Sequence, residues 1–428
     1  FCARQVNIDL LITASFIIGF LKGFLMLWII RRIKFIFSPK DVRSEFYAYF
    51  YPLVFGGGQL SMVITALLAY HYDWKYMYYF MMLLLAVAIL SVIMFFRIDR
   101  QARPIPWKEL HPREMLIIST GLLMLIYVIT YGKTLDWFAD PTIVRSTILT
   151  VVFAAVFFYM EWSHRSPYFL MEVFRLRTIN MGIVLFLLLM VFNTSSMFVN
   201  VFTGIGMEID NWQNAALGNW SMLGYFIGAV IAIILGSRNV KLKYLFGLGF
   251  LLIGVSALFM YFEVQTAGLY ERMKYPVIIR STGMMLIYSL TAVYANQRMP
   301  YKYLSTWICI MLSVRMVIGP GIGSALYSNV LQHRQQHYVT MFAQDIDRTD
   351  TQSASSYDQT LQGMRWQGRS ETEAENMAAM SAKGKVQVQA TLSAVKEMSG
   401  WTFYGCIISM LFVLIYPYKK RKLSAWRD

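Results

Sequence analysis

Three cations sit inside stretches of sequence that otherwise carry no charge. Lys22 lies in LLITASFIIGFLKGFLMLWII, Arg280 in PVIIRSTGMMLIYSL and Arg315 in WICIMLSVRMVIGPG. An ammonium or guanidinium in such surroundings is costly, so each is a functional candidate: it binds an anion, holds a carboxylate or lines a polar cavity. Each also has a plainer use. Lys22 can snorkel to an interface, Arg315 can clamp carbonyls or an ion pair, and Arg280, one turn into its run, is within reach of the outer interface. A second set is uncharged. Asn193, Thr194, Ser195, Ser196 and Asn200, with Asn219 and Ser221, would give a polar wall for a substrate, or bonds between helices. Tyr288, Tyr294 and the 28 Met residues suit an adaptable apolar pocket, or ordinary packing. Gly319-Pro320-Gly321-Ile322-Gly323 offers either a flexing point or a close-packing surface. No Asp or Glu lies in the middle of any apolar run, so the charges placed for membrane chemistry are all positive.

The elements that must carry these residues are eleven apolar runs, at about 10–30, 48–70, 76–96, 115–131, 143–160, 181–203, 215–235, 244–262, 276–294, 304–326 and 402–416. Each has the length a helix needs to cross roughly 30 Å of hydrocarbon. At that depth each must close its own backbone hydrogen bonds. The chain is 57% hydrophobic and 15% charged, which a soluble domain of 428 residues does not need. The net charge of +15 is not spread as in a nucleic-acid binder. About 23 Lys and Arg fall in alternate loops (31–46, 97–114, 161–177, 237–243, 297–303) and the tail 417–428. About 5 fall in the short loops on the other side, at the N-terminus and around 71–75, 132–142, 204–214 and 263–275. This asymmetry predicts a cytoplasmic C-terminus and, with eleven spans, an outer N-terminus.

Other chemistries find little support. Cys2, Cys309 and Cys406 lie in or beside apolar runs, with no zinc or disulfide spacing. His71, His111, His164, His333 and His337 lie in loops or at run ends. There is no complete phosphate-binding G-x-x-x-x-G-K-S/T loop and no clustered nucleophile or carboxylate pair, so neither ATP-driven transport nor a membrane enzyme is expected, and no cofactor or metal. Trp74, Trp137, Trp212 and Trp401 fall at outer run ends, and Trp28, Trp107, Trp162 and Trp426 at inner ends, as interfacial anchors do. The segment 331–400 is polar and external. It reads as a solvated connector or a docking surface, with a mobile Thr/Ser/Gln-rich linker at 349–360 and helical composition over 371–396, preceded by Ser370.

Local strings resemble one family. GKTLDWFADP at 132–141, then Glu161-Trp162, Pro167 and FRLR at 174–177, are similar to the helix 7–8 region of fourteen-helix drug:proton antiporters of the major facilitator superfamily (EmrB/QacA type). IIRSTGMMLIYSL at 278–290 resembles that family's helix 12, and SVRMVIGPGIGSALYSNVLQHRQQHY at 313–338 its helix 13 and following outer helix. Residues 1–23 resemble its helix 3 tail and helix 4. The resemblance implies an all-α integral membrane fold with helices 4–14 of fourteen present and three earlier helices preceding residue 1. It implies the remainder of an N-terminal bundle at 1–96, two linker helices and a cytoplasmic loop at 97–177, and a C-terminal bundle at 178–428. Two of the family's motifs are eroded. Where helix 4 carries Arg-x-x-Gln-Gly, this chain has Ser15, Ile18 and Gly19, with Lys22 two turns on as a substitute charge. Of the helix 5 antiporter motif Gly57 is kept, and Ser61 and Thr65 stand among the later small positions. Asp136 matches the 7–8 loop pattern, where capping is the expected role. The implied function is proton-coupled efflux of amphipathic compounds across a bacterial inner membrane, with a periplasmic adaptor protein as a possible partner. The alternatives are export of one anionic metabolite bound by Lys22 and Arg315, and a non-transporting scaffold or receptor, since fold does not fix function.

Overall fold

The computed structural model describes the chain apart from residues 1, 5–6, 38–42, 96–111, 165–166, 168, 238–239, 266–267, 297–302, 346–350 and 419–428. Side chains are also undescribed at 23–37, 43–49, 95, 236–237, 296, 304–305, 345, 351–354 and 356. Trp107, Trp426, the side chain of Trp28 and much of the cationic loops therefore lie outside the described residues.

Helices account for every regular element among the described residues. They are α1 (Ile8–Phe37), α2 (Arg43–His71), α3 (Lys75–Phe95), α4 (Pro112–Tyr131), α5 (Pro141–Ser163), α6 (Arg177–Asn193), α7 (Ser196–Val201), α8 (Asn211–Leu217), α9 (Trp220–Ser237), α10 (Leu242–Glu263), α11 (Lys274–Asn296), α12 (Leu304–Ser313), α13 (Gly319–Asp345), α14 (Thr351–Trp366) and α15 (Glu371–Ile415). Ten described stretches are long and apolar enough to cross a membrane. The remaining run, 10–30, lies within the 30-residue α1. The chain is an all-helical, multi-pass membrane protein.

The runs are less uniform than the sequence predicts. Run 181–203 breaks after Asn193, resumes as α7 and closes with a π-helical turn at Phe202–Gly206. Run 215–235 breaks at Gly218–Asn219, between α8 and α9. Run 304–326 passes through a π-helical turn at Val314–Ile318. Such turns free backbone groups and recur at functional sites. Hydropathy cannot show them, because the broken segments are as apolar as intact ones.

Packing centres on α11, most of whose span is buried, while the most apolar windows of α2 and α3 bury none of their residues. Phe186, Phe246, Phe250, Ile287, Tyr288 and Trp307 fill the core between α6, α10, α11 and α12. Small residues let α9, α10 and α11 approach backbone to backbone. A Cβ added at Gly228 would lie 2.6 Å from the carbonyl oxygen of Thr282, and one at Gly283 2.6 Å from that of Gly249. The glycines after Arg315 serve packing too. A Cβ at Gly319 would lie 2.6 Å from Cβ of Met190, and one at Gly321 3.0 Å from Ile129. A Cβ at Gly19 or Gly57 would meet nothing within 4 Å.

The segment 331–400 is not a loose connector. The spans on either side continue through it as α13 and α15, and α15 is one 45-residue helix. The expected linker 349–360 is helical from Thr351. Arg334 ties the two long helices with a forked bond to Glu397, Nε to Oε2 and Nη2 to Oε1, each 2.7 Å. Gln335 donates to Thr391 at 2.7 Å. Ala374 and Ala378 on α15 are fully buried within this extension. Composition alone read as solvation because these contacts are made by polar groups with each other.

Candidate functional site

The site is built where α2 meets α6, α9 and α11. On α2, Tyr51, Phe55 and Gln59 are spaced i, i+4, i+8 and so share one helical face. On α11, Arg280 and Tyr288 are two turns apart. Between these faces lie two layers.

The first layer is a cavity of about 220 Å³. Gln59 and Met62 line it from α2, Asn193 from α6, and Ser196, Val199 and Asn200 from α7. Asn214, Leu217, Gly218, Ser221 and Tyr225 close it from α8, the turn after it and α9; Val277 and Arg280 close it from α11. Asn193 is the last residue of α6, directly before the turn that leads into α7. Arg280 Nη1 donates to both the carbonyl oxygen and Oδ1 of Asn193, each at 3.0 Å. Of the two readings of Arg280, its bonds to Asn193 follow the one that turns it into the bundle. Two donors of lining residues, Arg280 Nε and Gln59 Nε2, are occluded and have no hydrogen-bond partner among the described residues. No acidic side chain lines the cavity.

The second layer is an aromatic cage around Arg315. Its Cζ lies 4.9 Å from the ring centroid of Tyr288, 5.6 Å from Phe55 and 6.0 Å from Tyr51. The π-helical turn carries Arg315 into this cage, where it is 8% exposed. No carboxylate pairs with it among the described residues. The Tyr288 hydroxyl is buried without a hydrogen-bond partner. The ring pair Phe55–Tyr225, 5.5 Å between centroids, divides the layers. Rings hold a desolvated cation by their quadrupoles, without neutralising it.

The structure thus gathers Asn193, Ser196, Asn200, Ser221 and Arg280 in one place and puts Arg315 with Tyr288 beside them. It does not bring the other expected residues there. Lys22, Ser15 and Gly19 on α1 are exposed, and Lys22 has no bonding partner among the described residues. Asn219 is exposed. Ser61 and Thr65 bond along their own helix, Thr65 Oγ1 to the Ser61 carbonyl at 2.9 Å. Tyr294 packs with Phe246 and Tyr418, away from the cavity. Pro320 stands in the first turn of α13.

The chain matches no protein-family model and no curated protein.

The hairpin of α4 and α5 supports the site from one side. Asp136 has a left-handed backbone, φ 51°, and no side-chain cap bond. The capping expected of it falls to Asp140, which accepts from the Thr142 backbone N–H at 2.6 Å and from the Thr142 hydroxyl. Trp137 is a tether rather than a free anchor: its Nε1 donates to Asn329 Oδ1 of α13 at 2.7 Å. Glu161 is buried and accepts the Phe169 N–H at 3.0 Å. Reading runs separately missed Tyr51, Phe55, Gln59, Asn214 and Tyr225. The available signal was Gln59, a polar residue on the same face as two aromatic rings. What the arrangement can do is bind. It has donors, a cation and apolar walls, and no carboxylate among the described lining residues.

Proposed function

We propose that this chain is a secondary transporter of the major facilitator superfamily type, moving amphipathic organic compounds by alternating access. The observation that carries this reading is the cavity lined by Arg280 inside a bundle of apolar helices, at a seam between α2 and the helices from α6 onward. Transporters of this kind bind substrate at the interface of two helical units, near the middle of the bilayer. The resemblance at 132–141, 161–177, 278–290 and 313–338 supports the same reading. The asymmetry of Lys and Arg supports a bacterial inner membrane protein with a cytoplasmic C-terminus. The helical extension α13–α15 is then external, and its exposed Glu375 and Asn376 offer an adaptor protein a docking face.

Proton coupling comes from the resemblance alone, since no described span holds Asp or Glu in its middle. Full-length protein in proteoliposomes under a pH gradient tests both points. Substrate-dependent proton movement on adding organic ions supports antiport. Substrate flux without proton movement assigns another coupling ion. The absence of any flux from folded protein refutes the transporter reading. Photocrosslinkers at Glu375 and Asn376 that capture no periplasmic protein in cells refute the adaptor.

A further inference from the structure

The geometry points to the class of substrate: the cavity at Arg280 is a site for a small organic anion, a carboxylate or sulfonate carried on an aryl-sized apolar body. This rests on the transporter reading and narrows it.

Charge comes first. Arg280 is the one charged residue among those lining the cavity. Among the described residues its side-chain hydrogen bonds go to neutral oxygens of Asn193, so the cation is solvated but not neutralised. An unneutralised guanidinium in a low-dielectric bundle favours an anionic guest and disfavours a cationic one by the same field. Hydrogen bonding agrees. Arg280 and the side-chain amides of Asn193, Asn200 and Asn214 supply N–H donors among the lining residues, and a carboxylate or sulfonate brings acceptors and no donors. Size sets the rest of the guest. A cavity of about 150 Å³ takes benzene, so about 220 Å³ takes an aryl ring with one small charged group. Drug-sized ligands occupy roughly 300–1,000 Å³. Met62, Leu217 and Val277 give that ring apolar walls.

Calorimetry on the purified full-length protein is the test, with benzoate as probe and benzylamine as its cationic match. Benzoate is expected to bind the native protein and benzylamine not. Arg280→Gln should weaken benzoate roughly tenfold or more, as loss of a charge-assisted bond requires, and Gln59→Leu should weaken it several-fold. Independently of whether Arg280→Gln folds, Ser196→Cys places a thiol on the cavity wall. Benzoate should slow its labelling by a maleimide, and benzylamine should not. Benzoate binding unchanged by Arg280→Gln, or equal shielding by the two probes, overturns the proposal. Benzoate that binds and shields but is never carried across proteoliposomes leaves the site standing and removes the transporter. Flux of lipophilic cations without benzoate binding does the reverse.

Discussion

The guanidinium of Arg315 stands 4.9 Å over the ring of Tyr288, a phenol that is fully buried and whose hydroxyl has no hydrogen-bond partner among the described residues. That hydroxyl is not satisfied in the way buried polar groups usually are. The magnitudes nearly cancel. A charge at the centre of a membrane helix costs about 3 kcal/mol on insertion scales, and a desolvated cation–π contact returns about 2 kcal/mol. Stability therefore does not explain the arginine.

Replacing it should show this. Arg315→Met is expected to change unfolding free energy by no more than about 1 kcal/mol, since cost and gain leave together. Substrate flux should fall by an order of magnitude or more. Arg315→Lys keeps the charge but loses the flat stacking surface, and should recover only part of the flux. A thermal midpoint that collapses in Arg315→Met would assign the residue to structure instead.

Two glycines should behave oppositely. Gly228→Leu drives a side chain into the Thr282 carbonyl and Met285 of α11, and should abolish folded protein or lower its thermal midpoint sharply. Gly57→Ala meets nothing within 4 Å and gains helix propensity. Its midpoint should be unchanged or slightly raised. Size-exclusion profiles and thermal scans of both variants in detergent decide the matter. Equal damage from both would mean that Gly57 is closely packed.

Trp137 and Asn329 should be energetically coupled. Their bond of 2.7 Å is the side-chain hydrogen bond by which the 132–140 turn holds α13. Trp137→Phe and Asn329→Ala are each expected to cost about 1 kcal/mol, and the double variant less than the sum. Additive losses in a double-mutant cycle would show that the bond contributes nothing.

The spans were legible in the sequence because crossing a bilayer leaves a local mark: length, apolarity and the charge of the flanking loops. Arg280, Arg315, Asn193 and Ser196 were legible too, since a polar group in an apolar run stands out without any partner being known. Their neighbours were not. Tyr51 and Phe55 look like ordinary apolar-face residues until α2 is set against α11. Lys22 stands out in the sequence as plainly as Arg315, yet lies exposed, because depth along a run says nothing about which face a residue occupies. The helical breaks at Asn193 and Gly218 also escaped, since apolar composition persists across them.

The turn before α5 makes a prediction about acid. Hydrogen bonds from the Thr142 hydroxyl and backbone N–H hold the Asp140 carboxyl below its ordinary value of 3.8. A lowered carboxylate stabilises the fold above the unfolded value, and that contribution is lost as pH falls through the lower folded value. Asp140→Asn should therefore be less stable than the native chain by a constant margin near neutrality. The margin should shrink as pH drops below about 3.8. Thermal midpoints across that range test it, and a margin that widens in acid would contradict the sign.

Helix α15 belongs to two surroundings at once. Its 45 residues make a rod about 68 Å long, more than twice the roughly 30 Å of a hydrocarbon core. Arg334 grips it at Glu397, near its mid-length. A stiff rod pivoted there is a lever. A tilt of about 10° within the bundle swings the roughly 39 Å beyond Glu397, with α14 packed along it, through about 7 Å, so small rearrangements around the core become large displacements at Glu371.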